Sequence, residues 1–396
     1  MAFEGIVLLG GARTPFGDFG KSLRDVPLSA AGTHAARASL ERARIDPKAV
    51  DHLVFGLVAV VDHDGPFISR KVALEAGMAI ESAALTVTRA CGSGTQAIVS
   101  AAEQIATGHS RIAIAAGGES FSRVPYSSTA MRGGARRGPT VLEDGLDFVY
   151  RCPFSKALMG ETAEALTEQF GYRRADMDDW ALMSQERARA AIESGFLARQ
   201  IAPIAVPDGR GGTRLFERDE FPRFDTTREK LASLRPAFKP GGAVTAGNSS
   251  GVTDGAAALI VAHRDALPAE ARPEAALVDY AVAGVPPEIM GAGPVPAIRK
   301  LLERNALSVG DIDYFEINEA FAVVNLHAEA QLGVGREKTN LYGGGISIGH
   351  PPGATGIRMT ITALHHLAET GGRYGVVSMC LGSGMGMAVL VENLLR

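Results

Sequence analysis

The chain repeats itself, and that limits the folds open to it. Leu40-Glu41-Arg42 precedes the apolar run Asp51–Phe55, and Leu302-Glu303-Arg304 precedes Asp313–Ile317, in one register 262 residues apart. Arg111 and the run to Gly118 align with Arg373–Cys380 at the same offset. Cys91 and His350 lie 259 residues apart, so a small deletion places both at the same point of their copies. Each copy alternates amphipathic helical segments with short apolar strands, a pattern that predicts layered α/β structure built twice.

Residues 121–251 break the pattern. They hold Arg132-Gly-Gly-Ala-Arg-Arg-Gly, a helical stretch near Asp178–Ser194 and a polar run from Asp208 to Glu220. This segment reads as an insertion carried by the first copy, with strand-like Ala256–Ala262 returning to the first sheet. The expected division is 1–120 with 252–273 as the N-terminal half, 121–251 as an inserted domain, and 274–396 as the C-terminal half.

Composition narrows the function. With 396 residues, 46% hydrophobic and 21% charged, the chain has enough apolar material for a large core, and disorder is not expected. A net charge of −4 gives no basic surface for nucleic acid or an acidic membrane. Three cysteines cannot form a disulfide framework and fit a reducing compartment. The first residues read as a strand entering a turn, without a signal peptide's basic and apolar regions, and no apolar run is long enough to span a bilayer. A cytoplasmic location is expected. No Cys/His cluster has zinc spacing, and no GxGxxG follows a strand, so neither a metal nor a dinucleotide is expected.

Three glycine-rich turns carry reactive side chains: Cys91 in Arg-Ala-Cys-Gly-Ser-Gly, His350 in Gly-His-Pro-Pro-Gly and Cys380 in Met-Cys-Leu-Gly-Ser-Gly. Glycine lets backbone approach a ligand closely. Helices are expected from Gly92 and from Gly353, which puts Cys91 and His350 at helix N-termini, where the dipole favours negative charge. For Cys91 this predicts a lowered thiol pKa. The chemistry that fits is acyl transfer between thioester and carbon. Cys91 would take the acyl group, His350 would move its proton, and Cys380 would remove a proton from carbon. The structural alternatives are core cysteines, a hydrogen-bonded histidine, and Asn318 capping a helix that begins at Glu319.

Cys91-Gly-Ser, Asn318-Glu-Ala-Phe, Gly349-His-Pro and Cys380-Leu-Gly resemble the four active-site signatures of the thiolases, in the family's order. Supporting stretches include Arg13-Thr-Pro-Phe-Gly, Ala116-Gly-Gly-Glu-Ser and Thr245-Ala-Gly-Asn-Ser-Ser-Gly. The resemblance implies a thiolase fold: two homologous βαβαβαββ halves in five-layer α-β-α-β-α packing, with an inserted loop domain. It implies an acetyl-CoA C-acyltransferase that works through an acyl-Cys91 intermediate, in Claisen condensation or the reverse thiolysis. Coenzyme A and acyl-CoA would be substrates, no prosthetic group is implied, and a homodimer or homotetramer paired through the first half is expected.

By the same resemblance, Asn318 holds a water that stabilises an enolate together with His350, and the amides of Cys91 and Gly382 form a second oxyanion site. Arg223 would contact a coenzyme A phosphate and Ser250 the pantetheine, and Met159, Phe238, Met290 and Phe321 would line the channel. The chain departs from the family pattern at Thr88, Leu158, Thr253 and Ser383, outside the catalytic side chains. A ketosynthase-type condensing enzyme is one alternative, though it has no use for Cys380. A non-catalytic acyl-CoA-binding subunit is another.

Overall fold

A computed structural model describes residues 3–396; Met1 and Ala2, at the start of the expected N-terminal half, lie outside them. Nine strands of four or more residues form its main sheet: β1 (Ile6–Arg13), β2 (His52–Gly56), β3 (Ala83–Val87), β4 (Ile112–Glu119), β5 (Thr253–His263), β6 (Ala275–Gly284), β7 (Tyr314–Ile317), β8 (Tyr374–Leu381) and β9 (Met385–Asn393). Their order is β7-β8-β9-β6-β1-β5-β4-β2-β3. Two half-sheets meet where Val7 and Leu8 of β1 pair antiparallel with Ala276 and Ala275 of β6.

The sequence repeat is visible in this topology. In the first half β2 runs parallel to β4, which pairs antiparallel with β5. In the second, β7 runs parallel to β8, which pairs antiparallel with β9. The repeat extends to single hydrogen bonds. Asp51 accepts from the Arg111 amide at 2.9 Å, and 262 residues on Asp313 accepts from the Arg373 amide at 2.6 Å. The second copy of β3 has shrunk to one parallel bridge, Phe315 with Thr339.

Eight helices matter here: α1 (Leu28–Ala43), α2 (Ile68–Glu75), α3 (Ser93–Ala106), α4 (Met159–Phe170), α5 (Arg174–Glu193), α6 (Pro294–Arg304), α7 (Ala322–Leu332) and α8 (Pro352–Thr370). Apolar residues of α3 and α8 share one core with alternate residues of both half-sheets, so these two helices form the central layer. The other face of the first half-sheet buries α1 and α2, and that of the second buries α6. The result is the thiolase fold. The central helices approach closely because glycines face backbone: a Cβ on Gly94 would lie 2.6 Å from the Gly353 carbonyl oxygen.

The expected return strand is present as β5, which lies between β1 and β4. Between β4 and β5 the chain forms α4, α5 and a small hairpin of Ile204–Pro207 with Thr213–Phe216. Among the described residues the strand β3 is a sheet edge with β2 as its single partner. Leu85 on it is 39% exposed, and Phe67 and Ile80 nearby in the chain are 70% and 67% exposed.

Candidate active site

Chain segments far apart in sequence carry the reactive groups and bring them together in pairs, Cys380 near Cys91 and Asn318 beside His350. Cys91 follows β3, Asn318 follows β7, Cys380 is the penultimate residue of β8, and His350 precedes α8. Three of the four therefore sit at or just beyond strand carboxyl ends, where open α/β sheets place their clefts.

The Cys91 turn is strained and clamped. Ala90 adopts φ 45°, in the left-handed region that a residue with a Cβ rarely occupies. Ser93 holds the turn from both sides. Its Oγ accepts from the Arg89 amide at 2.9 Å and donates to the Ala90 carbonyl at 2.8 Å. The α3 helix starts at Ser93, with Gly92 as its cap, so Cys91 lies just outside the helix. The Gly382 amide and the Cys91 amide both donate to the Cys91 sulfur.

The expected lowering of the Cys91 pKa is not what this environment produces. Burial pushes the thiol upward, and the Glu119 carboxylate nearby adds to the rise. The two amide hydrogen bonds oppose this without reversing it. The residue keeps some accessible surface, but its sulfur is enclosed, and desolvation of a thiolate outweighs a helix start that does not aim its first amides at it. Cys380 is fully buried, and burial together with Cys91 drives its pKa well above the usual thiol range.

His350 is buried, and its pKa is pushed down to about 3 by desolvation, with Arg358 adding to the shift. Its Nε2 lies 3.3 Å from the Asn318 amide nitrogen, and its Nδ1 lies 2.7 Å from the Thr355 hydroxyl. Asn318 is held by its own amide, which donates to the Ser378 carbonyl at 2.9 Å. It does not cap the following helix. That helix, α7, begins at Ala322 with Phe321 at the cap position. The Asn318 Oδ1 is buried and has no hydrogen-bond partner among the described residues. Glu319 is a hydrogen-bonding anchor, accepting from Trp180 at 3.0 Å, Ser184 at 2.6 Å and the Ile346 amide at 3.2 Å.

Four of the expected channel residues gather. Met290 and Phe321 share one apolar cluster with Cys380, and Met159 and Phe238 pack against it. Phe238 and Phe321 meet edge to face with centroids 6.1 Å apart. Met159 abuts Gly382: a Cβ built there would lie 3.5 Å from its sulfur. Ser250 is half-buried, with its amide donating to the Ala320 carbonyl at 2.9 Å. Arg223 is exposed, its guanidinium 5.2 Å from the centre of the Phe221 ring. It lines a cleft of about 340 Å³ with Phe221, Lys230, Leu231 and Ile346, the last two belonging also to the Cys380 cluster.

Sequence reasoning missed several neighbours. Glu119 is buried, accepts the amides of Ala59 at 2.8 Å and Gly353 at 3.2 Å, and has its pKa raised to about 8 by burial. The departure at Ser383 has a conformational consequence, because this residue adopts φ 72° where glycine would be unstrained. No group of three or more potential metal ligands occurs among the described residues.

The family model for the thiolase N-terminal domain matches residues 6–265, and that for the thiolase C-terminal domain matches residues 271–393. The chain is 44% identical over 391 residues to the beta-ketothiolase BktB of Cupriavidus necator, covering 98% of this chain and 99% of that one. It is 41% identical to the mitochondrial 3-ketoacyl-CoA thiolase of Bos taurus, covering 98% of each. The crystal structure of human mitochondrial 3-ketoacyl-CoA thiolase superposes with a TM-score of 0.95 at 39% identity, over 98% of both chains. A structure of that human protein in complex with CoA gives 0.94.

Proposed function

Since the chain belongs to the thiolase family, we propose that it is an acetyl-CoA C-acyltransferase. It joins an acyl-CoA to acetyl-CoA by Claisen condensation, or cleaves a 3-ketoacyl-CoA by thiolysis, through a thioester on Cys91. The observations that support this reading are two cysteines close enough to perturb each other, the Gly382 amide donating to the Cys91 sulfur, and Asn318 3.3 Å from His350. A ketosynthase-type enzyme needs one cysteine. The second, buried beside the first, favours thiolase chemistry.

The ionisation directions set the order of events. With the Cys91 pKa raised and that of His350 lowered, the resting pair is thiol and neutral imidazole rather than a preformed thiolate–imidazolium pair. Proton transfer to His350 therefore accompanies attack of the Cys91 sulfur on the thioester carbonyl. The carbonyl oxygen takes up negative charge facing the amides of Cys91 and Gly382. Coenzyme A departs with the proton of the Cys380 thiol, leaving acyl-Cys91, a Cys380 thiolate and a His350 imidazolium. Cys380 then removes a proton from the methyl of the second thioester. Its buried surroundings make a thiolate there strongly basic. The enolate oxygen is held by His350 and by a water on Asn318, whose unpartnered Oδ1 supports that role. Enolate carbon attacks acyl-Cys91 and releases its thiolate, which takes back the proton held by His350.

Coenzyme A enters as substrate, with no prosthetic group. Its phosphates lie on Arg223, its pantetheine near Ser250, and its acyl end among Met159, Phe238, Met290 and Phe321. The halves are 1–120 with 252–273 and 274–396, and 121–251 is the coenzyme A-binding insertion. The exposed β3 edge and the apolar Leu85, Phe67 and Ile80 support pairing of two copies through the first half. Among the described residues no helix is long and apolar enough to cross a membrane, and a cytoplasmic location is proposed.

Incubation with acetyl-CoA followed by intact-mass analysis should show one acetyl adduct, mapping to Cys91. Coenzyme A-dependent loss of 3-ketoacyl-CoA, assayed across chain lengths, should accompany it. An adduct on Cys152, or none, would sink the assignment. Light scattering should give at least a dimer at micromolar concentration, and Leu85→Lys should weaken it.

A further inference from the structure

Thr355 lies on the first turn of α8, five residues after His350, and is fully buried. Its Oγ1 is 2.7 Å from His350 Nδ1 and also 2.9 Å from the Pro351 carbonyl oxygen, to which it donates. A threonine hydroxyl has one proton and two lone pairs. With the proton on the Pro351 carbonyl, the oxygen can only accept from the imidazole, so Nδ1 carries the hydrogen. At the far side of the ring, the Asn318 amide nitrogen stands 3.3 Å from Nε2, a donor facing a lone pair. Both contacts select the same neutral tautomer.

We propose that Thr355 is a positioning residue that fixes His350 as the Nδ1–H tautomer, so that Nε2, the nitrogen beside Asn318, takes and returns the Cys91 proton. When the Cys91 S–H bond breaks, a bond from Nε2 to that hydrogen forms. The ring becomes imidazolium with Nδ1–H still bonded to Thr355. The Nε2 proton stays on the ring until acyl transfer releases the Cys91 thiolate, which takes it back and returns the ring to its starting tautomer. The departing coenzyme A sulfur takes its proton from the Cys380 thiol. Without the hydroxyl, the 3.3 Å contact with Asn318 alone opposes the Nε2–H tautomer, in which the nitrogen beside Asn318 can no longer accept. A threonine that merely back-bonds to its own helix, a common arrangement, would leave the tautomer unaffected.

The inference rests on the acyl-Cys91 reading, and the test separates the two. Thr355→Val keeps the shape and removes the acceptor; Thr355→Ser keeps the acceptor. Nitrogen-15 NMR of histidine-labelled protein should show His350 protonated on Nδ1 in the wild type and in Thr355→Ser, with Nε2–H appearing in Thr355→Val. Single-turnover acetylation of Cys91 should fall about 10²-fold in Thr355→Val, at the lower end of what a positioned proton-transfer group contributes, with KM little changed. Thr355→Ser should stay within a few-fold of wild type. A wild-type His350 protonated on Nε2 overturns the proposal whether or not the valine variant folds. So does a folded Thr355→Val that keeps both tautomer and rate. Failure of the wild type to acetylate Cys91 would refute the functional reading, while the NMR tautomer would still decide the role of Thr355.

Discussion

Replacing Gly353 by alanine tests how the two halves are held together. Gly353 is the second residue of α8, three residues after His350, and it packs into the first half. A Cβ there would lie 2.5 Å from the Gly56 carbonyl oxygen and closer still to that of Gly118. Both obstacles are backbone at the ends of β2 and β4, so no side chain can rotate away. Restoring ordinary contact requires a shift of about 1 Å of the α8 start or of the strand ends, since comfortable contacts lie near 3.5 Å. Overpacking of this kind costs about 1–3 kcal/mol. The shift also stretches the 3.2 Å bond from the Gly353 amide to the buried Glu119, adding about 1–3 kcal/mol if it breaks. Because His350 moves with the helix start, a displacement of about 1 Å should also cost ~10²-fold in turnover. Urea denaturation and thiolysis by the folded fraction read the two losses separately. A Gly353→Ala protein with the wild-type midpoint and rate would refute this account of the close packing. Gly382→Ala is the control. Its added Cβ meets Met159 at 3.5 Å, an ordinary contact, so stability should hold while substrate access suffers.

Other outcomes follow from the same geometry. Cys380→Ser should still be acetylated at Cys91 but should fail to exchange the acetyl methyl protons with deuterated water, a loss of ~10²–10⁴-fold. Normal methyl exchange in that variant would remove the proton-transfer role of Cys380. His350 has a folded pKa of about 3 against an ordinary 6.5, so the unfolded chain binds its proton first. Its effect is absent above about pH 6.5, and stability is lost as pH falls from there towards 3. Between pH 6.5 and 5 the loss from this one group is about 2 kcal/mol. Urea midpoints of wild type and His350→Asn should converge by that amount on acidification; parallel pH dependences would show that burial does not hold His350 neutral.

Much of this protein is local pattern, and local pattern is readable. The 262-residue register of Asp51 with Asp313 and Arg111 with Arg373 announced two copies of one unit, and β2, β4 and β5 have their counterparts in β7, β8 and β9. Motif order singled out Cys91, Asn318, His350 and Cys380 as candidates, and glycines marked the starts of α3 and α8. Ionisation was not readable in this way. A helix start suggested an acidic thiol, yet the Cys91 pKa is raised, because desolvation by residues brought from both halves outweighs a local dipole. The helix after Asn318 starts later than its sequence suggested, because the intervening residues are tied into other elements. The Ser250 amide bonds to the Ala320 carbonyl, and the Asn248 carbonyl accepts from the Ala322 amide. The partners of His350 were decided by the fold as well. The proton on Thr355 is spoken for by Pro351, and Asn318 reaches the ring from another strand end. Strand and helix periodicity live within a few neighbouring residues. Proton affinities and tautomers depend on which distant groups the folded chain encloses together, and that enclosure exists only in the tertiary structure.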